Sequence, residues 1–165
     1  MDDKTRFVKV FLHANGLFKD SDWSFDQNGD VNLHTSLTIT KCETAILPFK
    51  FGKADFDFAL KATIITSLQN CPNQISGIFY FHGLIENFDF WPRFTQCLTL
   101  SHSHYSVQNY TQILLANIKT IRFATSGQDI WPFMKILQLE RINGKMPREL
   151  IPGKINQLRE ILEKG

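Results

Sequence analysis

The chain has little that would hold it together covalently or through a metal. Its 165 residues include three cysteines, Cys42, Cys71 and Cys97, odd in number and without C-x-x-C spacing. That excludes a disulfide framework and a zinc site built on paired thiolates, and leaves the cysteines to be read as small buried residues of a reducing cytoplasm. Lysine and arginine form no run and the net charge is only +2, so the electrostatic footprint of a nucleic-acid binder is missing. No stretch approaches the ~20 apolar residues of a membrane span, and no apolar segment of signal-peptide form follows a basic start. A soluble, unsecreted protein of the cytoplasm, without a membrane partner, is the expectation. The patterns G-x-x-x-x-G-K-[ST], G-x-G-x-x-G and G-x-S-x-G are all absent, which removes the sequence basis for a phosphate cradle, a dinucleotide site or a nucleophile elbow. The sequence therefore points away from an enzyme and asks for no cofactor.

Proline is scarce too, but its placement is informative. Of six prolines, Pro72, Pro92, Pro132 and Pro152 fall on one register of twenty residues, with only the Gln112 slot empty. Trp-Pro occurs twice on that register, at Trp91-Pro92 and Trp131-Pro132. Proline fixes φ and donates no backbone hydrogen bond, so recurrence at a constant interval marks the same loop position in successive copies of one unit. Short alternating triplets supply a second periodicity: Val31-Asn32-Leu33, Phe56-Asp57-Phe58, Phe79-Tyr80-Phe81, Leu98-Thr99-Leu100, Ile121-Arg122-Phe123 and Leu137-Gln138-Leu139. Each places two apolar side chains on one face of a pleated strand. Coils of about 20 to 29 residues with one strand each belong to the leucine-rich class of solenoid. The fifteen phenylalanines fit it, because each coil needs large side chains to fill a narrow core between strand and return loop.

The segment T-S-L-Q-N-C-P (66–72), with L-P-F-K-F-G-K (47–53) and G-D-V-N-L (29–33) before it, resembles the short leucine-rich-repeat proteins of large tailed bacteriophages. Their repeat unit is similar to L-T-S-L-E-G-C-P-x-x-V-G-G-x-F-x-C-S-x-N. The resemblance covers about Gly29 to Phe81; the polar segment that follows each strand in that family is here replaced by A-L-K-A (59–62), H-G-L (82–84) and S-H-S-H (101–104). It implies a solenoid of viral origin, acting in the host cell cytoplasm, and a bacterial host protein as the partner class.

The expected architecture is an α/β solenoid, a single domain of irregular leucine-rich-repeat-like coils with one short parallel strand each, capped by helices at both ends. Residues 1–22 supply the first cap: after Asp2-Asp3, Phe7, Val10, Phe11 and Ala14 or Leu17 recur at helical spacing up to Asn15-Gly16. The rival reading of this helix is a peptide that docks on a partner. Coils occupy 23–144, entered through Trp23, Phe25 and the turn Asp26-Gln27-Asn28-Gly29. The surplus between His34 and Lys53 is either an extra strand at Leu37–Thr40 or an outward loop. From Tyr105 to Lys119, Val107, Tyr110, Ile113, Leu114 and Ile118 follow helical spacing, so one loop is read as a helix. Residues 145–165 end in a helix with Ile155, Leu158, Ile161 and Leu162 on one face, covering the last strand, whose open edge would otherwise pair with other chains.

Alternation assigns Phe56, Phe58, Phe79, Phe81, Leu98, Leu100, Ile121 and Phe123 to the core. The residues between them, Asn32, Asp57, Tyr80, Thr99, Arg122 and Gln138, then form one outward column crossed by His82 and Glu140. Stacking strands about 4.8 Å apart turns such positions into a rigid surface. Tyr80 and Arg122 are the expected anchors, since tyrosine and arginine most often dominate interface energetics. The leading expectation is a non-enzymatic phage protein that binds, and in one version inhibits, a host or host-defence protein. The alternative is a small-ligand or nucleotide binder, or a metal-dependent hydrolase, around His82, His102 and His104, because histidines two apart on a strand share a side. Asp55 and Asp57 share a side by the same logic, without sequence evidence of a cleft.

Overall fold

A register of about 21 residues is the rule from which the fold follows. In the computed structural model, which describes residues 1–81, 85–86, 90, 92–100, 118–123, 149–150, 153, 155–157 and 160, Leu37 pairs with Phe58 and Phe58 with Phe79 in parallel. Phe79 then pairs with Leu98, and Leu98 with Ile121. All five side chains are buried, so like positions of successive coils stack into one apolar column. A second column runs Leu33, Ala54, Ile75, Thr95, Ile118 and is equally buried. The protein is a mostly-sheet β-solenoid with an N-terminal helix.

That helix, α1, spans Asp3–Ala14. The Asp2 side chain accepts from the Thr5 amide at 2.7 Å, satisfying one of the orphan donors of the first turn. Strand β1 (Trp23–Phe25) runs antiparallel to β2 (Val31–Leu33), and the Asp26 carboxylate closes the turn between them by accepting from the Asn28 and Asp30 amides. The parallel stack continues through β4 (Phe51–Ala54), β6 (Gln74–Phe81), β7 (Phe94–Leu100) and β8 (Ile118–Phe123). Beside it, β3 (Leu37–Ile39) pairs with β5 (Phe58–Leu60), which pairs with β6. Thus β2 with β3, and β4 with β5, are single coil strands broken at 34–36 and 55–57. The antiparallel β9 (Glu149–Leu150) lies on β8. The two ends of the parallel stack are each covered by a short antiparallel strand, which occupies the edge that would template aggregation.

Return arms stack as the strands do. The Thr66 amide donates to Ala45 O and the Glu86 amide to Thr66 O, while Leu47, Leu68 and Ile85 turn inward. Asn70 takes the left-handed backbone conformation, φ 71°, which asparagine tolerates better than other non-glycine residues, and its side chain donates to Leu47 O at 2.7 Å. Pro72 and Pro92 are both buried, each just ahead of its strand; Pro132, Pro152 and the Gln112 slot lie outside the described residues. Aromatic rings link the layers: Phe49 to Phe51, Phe51 to Phe58 and Phe58 to Phe79, with centroids 5.0, 5.3 and 6.4 Å apart.

Several expectations change. The first two coils have two strands each instead of one, and the surplus at Leu37 is an extra strand, not a loop. Phe56 is 55% exposed, because 55–57 is a break and strand alternation restarts only at Phe58. On α1 the buried residues are Val8 and Leu12, with Leu17 beyond its end; Phe7, Val10 and Ala14, read as the core face, are exposed. Cys42 is half-buried, unlike the buried Cys71 and Cys97. Ile118 and Lys119 start a strand where a helix was expected to end; residues 105–117 lie outside the described ones. The C-terminal segment holds β9 before the described helical residues Gly153, Ile155–Gln157 and Glu160, of which Ile155 is buried in the main core.

Candidate functional site

The outward side of the sheet was expected to carry one column. The register places Tyr80, Thr99 and Arg122 in a single row, as expected, but continues it through Ala59 and Thr38. Asp57 is therefore outside that row. It sits in the break of its coil, where its amide donates to Ser36 Oγ at 3.3 Å and its Oδ1 accepts from the Ile78 amide at 2.8 Å. Asn32 does the same work one coil earlier, accepting from the Lys53 amide at 3.0 Å. These side chains replace ladder bonds that the broken strands cannot make, which buried or half-buried amides require. His82, Gln138 and Glu140, like His102 and His104, lie outside the described residues. Among the described residues no three His, Cys, Asp or Glu side chains gather as a metal site, and no helix is long and apolar enough to cross a membrane.

Two features emerge whose geometry was not legible in the sequence, although the first helix was read there as a possible docking element and Asp55 as a candidate carboxylate. The first is a groove of about 360 Å³ between α1 and the loop after β3, lined by Phe7, Val10, Phe11 and Ala14 on one side and by Cys42 and Pro48 on the other. Phe7 is 53% and Val10 63% exposed. Asn15 fixes the groove's shape: its side chain donates to Phe11 O and Lys41 O and accepts from the Thr40 and Lys41 amides. With both ends of the amide engaged, the helix terminus and the loop are held as one unit. Phe49 packs edge-on against Phe7 and Phe11, with centroids 6.1 and 5.2 Å apart, and ties this wall to the core.

The second is polar. Ser24 Oγ lies 2.8 Å from His34 Nε2, and His34 Nδ1 lies 3.0 Å from Asp55 Oδ2. Lys53 Nζ stands 3.4 Å from the other oxygen of Asp55. The sheet order β1-β2-β4 puts the three residues on or just past three adjacent strands with histidine in the middle. Because Leu33 is buried, its neighbours Asn32 and His34 face outward, and Ser24, directly across from Asn32, joins them. The Asp55 amide donates to Leu33 O at 3.0 Å, which sets the carboxylate beside the imidazole. The hydrogen bond from His34, helped by the Lys53 charge, holds the Asp55 carboxyl below the usual carboxylate range. Asp55 and Asp57, expected to act on one side, have separate partners.

A smaller recess of about 300 Å³ includes Lys50, Asn70, Asn73, Phe90 and Arg93; Lys50 is already paired with Asp30 at 2.8 Å. Burial pushes the Cys71 thiol up, so it stays protonated. No family model, curated protein or solved structure matches this chain.

Proposed function

We infer that the protein is a binding solenoid that docks another protein through the outer face of α1 and the loop facing it. The observation that supports this is the groove itself: large apolar side chains at Phe7 and Val10 are presented to solvent on a rigid wall, next to Cys42 and Pro48. Contiguous exposed apolar surface of this kind marks interaction sites in soluble proteins. The occupant is an apolar helix or loop of a partner protein, since the Lys41 and Glu43 charges at the rim cancel and select for no net charge. Coils of the leucine-rich type, an origin in a large tailed phage and a host or host-defence protein as the inhibited partner come from the resemblance of residues 29–81. The row Tyr80, Thr99, Arg122 is the competing surface.

The test is capture of host proteins by the purified chain and by two variants, Phe7→Ser with Val10→Ser, and Tyr80→Ala with Arg122→Ala. A partner bound by the parent and by the second variant, but weakened by at least about 2 kcal/mol in the first, supports the groove. Loss only in the second variant moves the site to the strand face. Equal capture by all three overturns both surfaces.

A further inference from the structure

We propose that Ser24 is an activated nucleophile, with His34 as its general base and Asp55 as the residue that positions the base, and that the site cleaves carboxylic esters presented from open solvent. This departs from the expectation of a protein without chemistry and rests on residues separate from the α1 groove, so either reading can fail alone.

An ionised carboxylate only accepts, so the 3.0 Å contact to Asp55 Oδ2 makes His34 Nδ1 the protonated nitrogen of the neutral ring. Nε2 then carries the lone pair. The 2.8 Å contact to Ser24 Oγ is therefore a hydrogen bond donated by the hydroxyl, which is the arrangement that lets a serine lose its proton as it attacks. Sequence order is immaterial to this geometry, which is recognised by roles. The three residues come in the order Ser, His, Asp, at separations of 10 and 21 residues; the second is the coil register.

A donor for the developing negative oxygen is at hand. Asn32 is the cross-strand partner of Ser24 on the same face, where facing Cβ atoms lie about 4.5–5.5 Å apart. Its Oδ1 is committed to the Lys53 amide at 3.0 Å, which fixes the orientation of the side-chain amide and leaves its Nδ2 hydrogens without a partner among the described residues. Side-chain amides serve as oxyanion donors when so fixed.

The reaction balances without a co-reactant other than water. Ser24 Oγ bonds to the ester carbonyl carbon while its proton passes to His34 Nε2 and the carbonyl π electrons move onto oxygen. Collapse of that oxyanion breaks the carbon–alkoxy bond, and the imidazolium proton goes to the departing oxygen, leaving acyl-Ser24 and an alcohol. Water attacks the acyl carbon, giving its proton to His34 Nε2; the carbon–Oγ bond breaks, Oγ takes that proton, and the acid leaves.

The experiment treats the full chain with a fluorophosphonate probe and with p-nitrophenyl acetate, mapping any adduct by peptide mass spectrometry. The expected result is a single adduct on Ser24, with the labelling rate lowered at least about 100-fold by His34→Ala. Asp55→Asn should lower it too and Asp55→Glu restore part of it, a rescue that a purely structural hydrogen bond would not produce. Asn32→Ala should slow p-nitrophenyl acetate turnover. Melting curves for each variant identify loss of fold, and the adduct map on the unmodified chain stands whatever the variants do. An unlabelled Ser24 in the folded parent, or labelling of Ser24 unaffected by His34→Ala in a folded variant, overturns the proposal.

Discussion

The coil strands at 31–39 and 51–60 keep the same register as the strand at 74–81, yet the first two are broken and the third is not. Where the breaks fall, at 34–36 and 55–57, the ladder is completed by Asn32, Ser36 and Asp57 side chains, and the exposed His34 and Asp55 meet. In β6 the same irregularity shrinks to a bulge between Ile75 and Ile78, with Gly77 inside it. The apolar columns run through broken and continuous coils alike; the broken coils add the polar contacts. A break interrupts strict alternation, so Phe56, which a straight strand would send inward with Ala54 and Phe58, is left in solvent.

Replacing Phe58 tests this contrast most severely. Phe58 is fully buried and Phe56, two residues earlier, is 55% exposed; Phe58→Ala should cost about 3–5 kcal/mol in urea unfolding and Phe56→Ala about 0.5 kcal/mol or less. Equal losses would mean that alternation runs through the break after all. Gly77 comes next. A Cβ there would meet Asp57 Oδ1, and lie 2.6 Å from the Phe56 carbonyl carbon and 2.8 Å from the Asp57 nitrogen. Gly77→Ala should therefore destabilise by about 1–3 kcal/mol, whereas Gly153→Ala, which meets nothing within 4 Å, should not. Adding Asp57→Ala to Gly77→Ala should recover part of that loss if the clash with the carboxylate is its cause, measured as a double-mutant cycle.

The continuous coils offer a change in the other direction. Thr95 is wholly buried in the column between Ile75 and Ile118, and its Oγ1 has no hydrogen-bond partner among the described residues. Thr95→Val keeps the branched shape and removes an unpaired hydroxyl, so it should raise stability by about 1 kcal/mol. A loss instead would reveal a partner for that oxygen. The smallest effect is that of pH on the broken coils. Asp55 has a depressed folded-state pKa, so its contribution is present above the unfolded value of about 3.9 and disappears as pH falls through the lower folded value. The melting difference between the parent and Asp55→Asn should be visible at about pH 6 and shrink as acid protonates the Asp55 carboxylate. It should be small, because the carboxylate is partly exposed and screened.

Much of the repeat was legible. Val31, Leu33, Phe79 and Phe81 alternate as read, Leu98 and Ile121 sit in the column assigned to them, and Pro72 and Pro92 mark equivalent loop positions. The helix at the start was legible in extent but not in orientation. Its two stripes, Val8–Leu12 and Phe7–Val10–Phe11–Ala14, are both apolar at helical spacing, and nothing local says which one meets the solenoid. The polar relay left no trace either, because Ser24, His34 and Asp55 belong to no common motif.

Local alternation and the roughly 20-residue period are properties of the chain itself, since the pleat and the proline loop are fixed by a few neighbouring residues. They determined that this protein winds into stacked strands with phenylalanine inside. The layers broken at 34–36 and 55–57, the helix face left in water and the meeting of a serine, a histidine and an aspartate were decided only by the pairing of one coil on the next. A register is an agreement between two distant segments, and a single sequence displays each of them alone.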